Sequence, residues 1–197
     1  MTPQTIIFVG PQGSGKGTQI KKLDALLKEK DPTRKVVDIQ TGRRFRAMAA
    51  KEEGYTEQHI SETLDTGMLQ PLFLSVSLWG DAMREHLTPD CHVLIDGFPR
   101  IVAEATVLES ALSFYERENV TIINLETPEE VVRERMVSRA RPDDTPESIE
   151  ARLTWYREET LPVLEYYRKR KDTVVYDIDG TDTIDGVFDQ IKEALGL

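Results

Sequence analysis

The sequence predicts a doubly wound α/β domain, a parallel sheet with helices on both faces. Three observations predict it. Five short runs rich in β-formers recur along the chain: TIIFV (5–9), VVDI (36–39), HVLID (92–96), VTIINLE (120–126) and TVVYDI (173–178). Most are continuously apolar rather than alternating, as strands buried on both faces are. Helical patterns separate them, and a glycine-rich loop joins the first strand to the first helix.

The elements follow in order. Strand 5–9 runs into GPQGSGKGTQ (10–19) and then a helix, QIKKLDALLKEK (19–30). Gly10, four residues, Gly15 and Lys16 match the start of a phosphate-binding loop of the Walker A type. Glycines let the backbone turn its N–H groups toward one point, and the following helix aims its positive end there. Gly13, Ser14, Gly15, Gly17 and Thr18 are the candidate cradle, and Lys16 adds a mobile charge for the outer phosphates. Gly17 stands where many such loops carry Ser or Thr. Mg²⁺ then lacks a direct hydroxyl ligand and is expected to be held mainly by phosphate oxygens and water.

Residues 42–88 carry no strand signal and are too long for one helix, and Gly54, Gly67 and Pro71 punctuate them. Several helices inserted between the second and third strands are expected. The third strand ends at Asp96, and a Gly97-Phe98-Pro99 turn delivers Arg100, with Glu104 four residues later. In TPEE (127–130), Thr127 is expected to cap a helix with Pro128 in its first turn, and DDTPES (143–148) repeats the device with Thr145 and Pro146. The fifth strand runs to an Asp179-Gly180 turn.

Composition narrows the function. At 197 residues the chain fits one domain with a sizeable core, 1–197. A net charge of −10 argues against bulk nucleic-acid or anionic-membrane binding. Arginines nonetheless cluster at 43, 44 and 46 and at 133, 135, 139 and 141, which suits a small anionic ligand. Cys91 is the only cysteine, so neither an internal disulfide nor a cysteine zinc site can form. No apolar run approaches membrane length, and MTPQTIIFVG has no signal-peptide character; a cytoplasmic location is expected. His59, His86 and His92 are scattered and read as structural or surface residues. Trp79 and Trp155 read as packing residues, Trp155 near enough to Arg152 to report on closure.

Four ordered blocks carry a family resemblance: GPQGSGKGTQ, QTGRRFRA (40–47), IDGFPR (95–100) and RARPDDTPESIEAR (139–152). Together they resemble the adenylate kinases and related nucleoside monophosphate kinases, nearly end to end. The resemblance implies a P-loop kinase fold with strand order 2-3-1-4-5, a helical monophosphate-binding subdomain at about 42–71 and a lid at about 139–143. It implies Mg²⁺-dependent, reversible transfer from ATP to AMP, giving two ADP. Lys16 would bind the transferring phosphate, and Asp96 would orient Mg²⁺ through water. Arg46, Arg100 and Gly97 would hold the acceptor phosphate, with Thr41, Gly42 and the backbone from Gly67 to Leu69 around its base. Arg135 and Gly180 would border the donor adenine. Arg139, Arg141 and Arg152 would surround the phosphates in the closed state, positioned by Asp143 and Asp144. Arginines suit phosphoryl transfer, which needs positioning and positive charge rather than a covalent nucleophile. The partners expected are small nucleotides, with no nucleic acid and no membrane, in a monomer or alternatively an oligomer.

Three departures stand out. Arg139 and Arg141 are separated only by Ala140, a nearly lidless arrangement, so closure is expected to rest on helix motion and the monophosphate subdomain. Arg43 stands where the family has Asp, and is expected to face solvent. Glu104 stands where adenylate kinases have Gln. A carboxylate only accepts, so it could receive N1–H and N2–H of guanine but opposes N1 of adenine. A matched base contact is worth about 1–3 kcal/mol, which makes GMP or relaxed base choice the alternative to AMP. Glu104 could instead form an i, i+4 helix pair with Arg100, worth about 0.2–0.5 kcal/mol. A small-metabolite P-loop kinase and a non-enzymatic nucleotide-binding protein are the remaining alternatives.

Overall fold

The computed structural model describes residues 1–51, 54–139 and 141–197. The elements run β1 (Thr5–Val9), α1 (Lys16–Lys30), β2 (Val36–Gln40), α2 (Thr41–Ala49), α3 (Tyr55–Asp65), α4 (Leu72–His86), β3 (His92–Asp96), α5 (Val102–Phe114), β4 (Val120–Glu126), α6 (Glu129–Arg139), α7 (Pro146–Trp155), a π-helical turn (Tyr156–Thr160), α8 (Leu161–Arg168), β5 (Thr173–Asp179) and α9 (Ile184–Leu195). The strands pair in parallel in the order β2-β3-β1-β4-β5. The five expected strands and their expected order are both present.

Strand alternation splits the core into two layers. Ile6 and Phe8 of β1 face Leu23 and Leu27 of α1 and Ile191 of α9. Ile7 and Val9 face the opposite layer, built with Trp79 and Met83 of α4, Leu108 of α5 and Tyr167 of α8. Each such side chain contributes about 1.5–3 kcal/mol by leaving water. A smaller cluster of Val132, Met136, Ile149 and Leu153 joins α6 to α7. The sheet is therefore a rigid platform whose strand ends open onto one crevice, at the switch between β1's two neighbours.

Two element ends differ from expectation. β2 continues to Gln40, and β5 to Asp179, because Gln40 pairs with Asp96 and Asp179 with Glu126 in register; both end residues are polar and carry no apolar signal. The Thr127 cap does not form: its Oγ1 is buried without a hydrogen-bond partner, and α6 begins at Glu129. Thr145 does cap α7. Its Oγ1 accepts from Ser148 N at 3.2 Å, and Ser148 Oγ accepts from Thr145 N at 3.0 Å. Between α7 and α8 the π-helical turn makes 146–168 one continuous helical run with a local change of register.

Candidate active site

A crevice of about 740 Å³ opens at the carboxyl ends of the strands, walled by the glycine loop, α2, the segment after α3, the turn after β3, and α6 and α7. The loop from Gly10 to α1 is held open by its own backbone. Gly13 has φ 91, in the left-handed region, and a Cβ there would lie 3.0 Å from Val132 O. α1 begins at Lys16 with no side-chain cap, so its first amides have no side-chain acceptor. That leaves a ready anion site at a helix start.

Lys16 bends back over the loop and donates to Gly10 O at 2.7 Å and Pro11 O at 2.8 Å. Burial lowers its pKa from 10.5 to about 8, with Arg100, Arg139 and Arg141 adding to the fall and Asp96 opposing it. Burial likewise lowers the pKa of Arg100 and of Arg46, where the charge of Arg141 adds to it. Among the described residues, none of Lys16, Arg46, Arg100, Arg135 and Arg141 is ion-paired with a carboxylate. The site is a field of positive charge that lacks its counter-ion.

Other cations are fixed. Asp144, its side chain fully shielded, accepts from Arg139 through Nε (2.5 Å) and Nη2 (2.9 Å) and from Arg152 Nη1 (2.6 Å). Arg152 is 3% exposed and also donates to Asp143 at 2.7 Å. Burial works against charge on Asp144, but the Arg139 hydrogen bond and the surrounding arginine charges outweigh it and hold its pKa below the ordinary value. Arg135 donates to Gly180 O at 2.9 Å, so the loop after β5 is tied to α6 beside Ser14. Asp144 and Gly67 stand behind the wall, whereas the other expected site residues face the crevice. Ala140, in the middle of the expected lid, and residues 52 and 53, in the expected subdomain, lie outside the described residues.

On the acceptor side, Thr41 opens α2 and is 1% exposed. Gly42 lies against the Arg46 guanidinium, 3.5 Å from where a Cβ would stand. Arg43, with a side chain 63% exposed, donates to Gln40 Oε1, as its solvent-facing expectation requires. Asp96 closes β3 at the crevice floor.

Glu104 is 3% exposed, and its carboxylate is fully engaged. Oε1 accepts from Ser75 Oγ (2.6 Å) and Trp79 Nε1 (3.2 Å), and Oε2 accepts from the backbone N of Arg100 (2.8 Å). The helix pair with Arg100 does not form, because Arg100 precedes α5 and its Nε donates to Gly97 O at 2.7 Å. Ser75 and Trp79 were missed by sequence reasoning. Their i, i+4 spacing on α4 puts them on one face, but nothing in the sequence joins that face to Glu104.

The donor set can be tested for Mg²⁺. Among the described residues no group of three or more His, Cys, Asp or Glu could cage a metal. A single carboxylate, Asp96, beside a phosphate loop fits a small hard cation held by phosphate oxygens and water.

Comparison with known proteins gives the same direction. The model of a family described as adenylate kinase matches residues 8–172. The chain is 36% identical to an adenylate kinase of Cyanothece sp. over 95% of this chain and 96% of that one. It is 36% identical to an adenylate kinase of Corynebacterium aurimucosum over 96% and 98%, and 35% identical to one of Thermus thermophilus over 98% of each.

Proposed function

The chain belongs to the adenylate kinase family, a family of phosphotransferases, and from that premise we propose that it catalyses ATP + AMP ⇌ 2 ADP, with Mg²⁺. The carrying observation is the set of unpaired cations, Lys16 and Arg141 by the glycine loop and Arg46 and Arg100 on the acceptor side, converging on one crevice.

ATP lays its β- and γ-phosphates in the loop from Gly13 to Thr18, with Lys16 on the outer oxygens and its base between Arg135 and Gly180. Bound Mg²⁺ supplies charge neutralisation on the β- and γ-oxygens, held through water by Asp96. AMP sits with its phosphate on Arg46, Arg100 and the Gly97 turn, and its base among Thr41, Gly42, Leu69 and the wall that Glu104 braces. An AMP phosphate oxygen attacks the γ-phosphorus in line, and the β–γ bridging oxygen leaves with the electron pair. No protein group needs to take a proton. Arg139, Arg141 and Arg152 meet the charge spread over the transferring oxygens, and Asp143 and Asp144 hold two of them in the required direction. The helices near 42–71 act as the acceptor subdomain, with residues 139–143 as a minimal lid.

Family membership does not favour the GMP alternative, nor a small-metabolite kinase or a non-enzymatic binding protein. We further propose that the protein works as a cytoplasmic monomer; no described helix is long and apolar enough to cross a membrane. The deciding experiment is a crossed assay of AMP, GMP, CMP and UMP against ATP and GTP. AMP with ATP should be the fastest pair, and no turnover with any monophosphate would refute the kinase.

A further inference from the structure

We infer that Trp155 is a positioning residue for the acceptor phosphate, latching the acceptor segment to α7 and backing Arg100 from behind. The inference rests on the proposed kinase reaction.

The latch has two teeth. Trp155 Nε1 donates to Gly67 O at 2.8 Å, and Arg152 Nη2 donates to Leu64 O at 3.2 Å. Arg152 and Trp155 are three residues apart on α7, and Leu64 and Gly67 are three apart at the end of α3, so one turn of helix meets one turn of helix. The receiving carbonyls lie at the negative end of α3, which favours a guanidinium there. The fit is close: Gly67 has φ 71, and a Cβ there would lie 2.4 Å from Ser148 O. α7 therefore carries a phosphate-facing arginine and the acceptor segment's anchor on the same face.

The same indole serves Arg100. The Trp155 ring lies 4.8 Å from the Arg100 guanidinium carbon. Thr160 Oγ1, from the π-helical turn, donates to Arg100 O at 3.0 Å, and Arg100 Nε donates to Gly97 O. Nε and the backbone are thus spoken for, while among the described residues neither Nη has a partner. An aromatic face orients a guanidinium without consuming its donors, whereas a carboxylate would occupy them. A half-buried indole beside the acceptor site also removes water from it, which a lid does in longer relatives.

The test is steady-state kinetics of the full chain with ATP and AMP varied separately, together with melting temperatures. Trp155→Leu removes both the ring and the N–H, whereas Trp155→Phe keeps a ring and loses the bond to Gly67. Trp155→Leu should raise KM for AMP about 5- to 50-fold. KM for ATP should stay within about twofold, since a uniform structural loss would move both. Trp155→Phe should recover part of the AMP affinity. An unchanged KM for AMP in Trp155→Leu, or equal rises for both nucleotides, overturns the inference. Should Trp155→Leu fail to fold, Trp155→Phe decides alone, by raising KM for AMP more than KM for ATP or not. A wild type that does not phosphorylate AMP would instead bring down the kinase reaction beneath the inference, a result separable from an active wild type with indifferent variants.

Discussion

Lys16→Met should produce an enzyme that is more stable and nearly inactive. Without phosphate, the Lys16 ammonium is a burden to the fold: burial holds its pKa at about 8 against an ordinary 10.5. At about 1.4 kcal/mol per tenfold change in proton affinity, that gap is on the order of 3 kcal/mol. Methionine keeps an unbranched chain of similar length and drops the charge. It also drops the bonds to Gly10 O and Pro11 O. With those and solvent screening set against the gain, the variant should be about 1–2 kcal/mol more stable near neutral pH without nucleotide, raising Tm by about 2–8 °C. The sign with pH follows from the folded pKa lying below the unfolded one. The burden is complete below pH of about 8 and fades as pH rises toward 10.5, so the variant's advantage should shrink across that window. Urea unfolding followed by circular dichroism, near neutral pH and again at alkaline pH, measures this. Transfer should meanwhile fall by at least about 100- to 1,000-fold. A variant less stable than wild type at neutral pH, or an advantage that grows with pH, would refute the reasoning.

Further outcomes follow from the same geometry. In the free enzyme Lys16 loses its proton near pH of about 8, so kcat/KM for ATP should decline above that pH; a pH profile checks it, and Lys16→Arg, charged throughout, should flatten the decline. Glu104→Gln presents an amide N–H₂ to at least one donor among Ser75, Trp79 and the Arg100 backbone, which should cost about 1–3 kcal/mol by thermal melting. Because the carboxylate is spent on those donors, the AMP-to-GMP preference should hardly move; a shift of about tenfold would show that it reads the base. Asp144→Asn leaves Arg139 and Arg152 sharing one neutral oxygen, and should lower both kcat and stability, the latter by about 3 kcal/mol in a denaturant titration.

What was legible in the sequence was local. Buried parallel strands are continuous apolar runs, so β1, β3 and β4 could be read to their ends. The glycine loop, the Thr145 cap and the arginine clusters are likewise patterns within a few residues. Features depending on contact between distant segments were not legible. Glu104's partners lie 25 and 29 residues away on α4, so the sequence offered only a base contact or an Arg100 pair. Thr127 shows the limit of a local rule: its pattern is that of a cap, yet the close approach of Gly180, whose Cβ would lie 2.2 Å from Thr127 Oγ1, shows how tightly that corner is packed. Trp155 carried a correct hint, nearness to Arg152, but its bond to Gly67 spans 88 residues.

The π-helical turn at Tyr156–Thr160 has a consequence for how this chain can change. A π-turn holds one residue more than α geometry allots. Removing one residue there would give a smoother helix with better intrahelical bonds. It would also rotate everything beyond by about 100°, the angle one residue subtends in an α-helix. Val163, Leu164 and Tyr167, all buried, would swing out of the core, and Thr160 would leave the Arg100 carbonyl. The extra residue thus behaves as a ratchet: once the α8 packing face and the Arg100 support had both been built on the shifted phase, a single deletion could no longer undo the insertion.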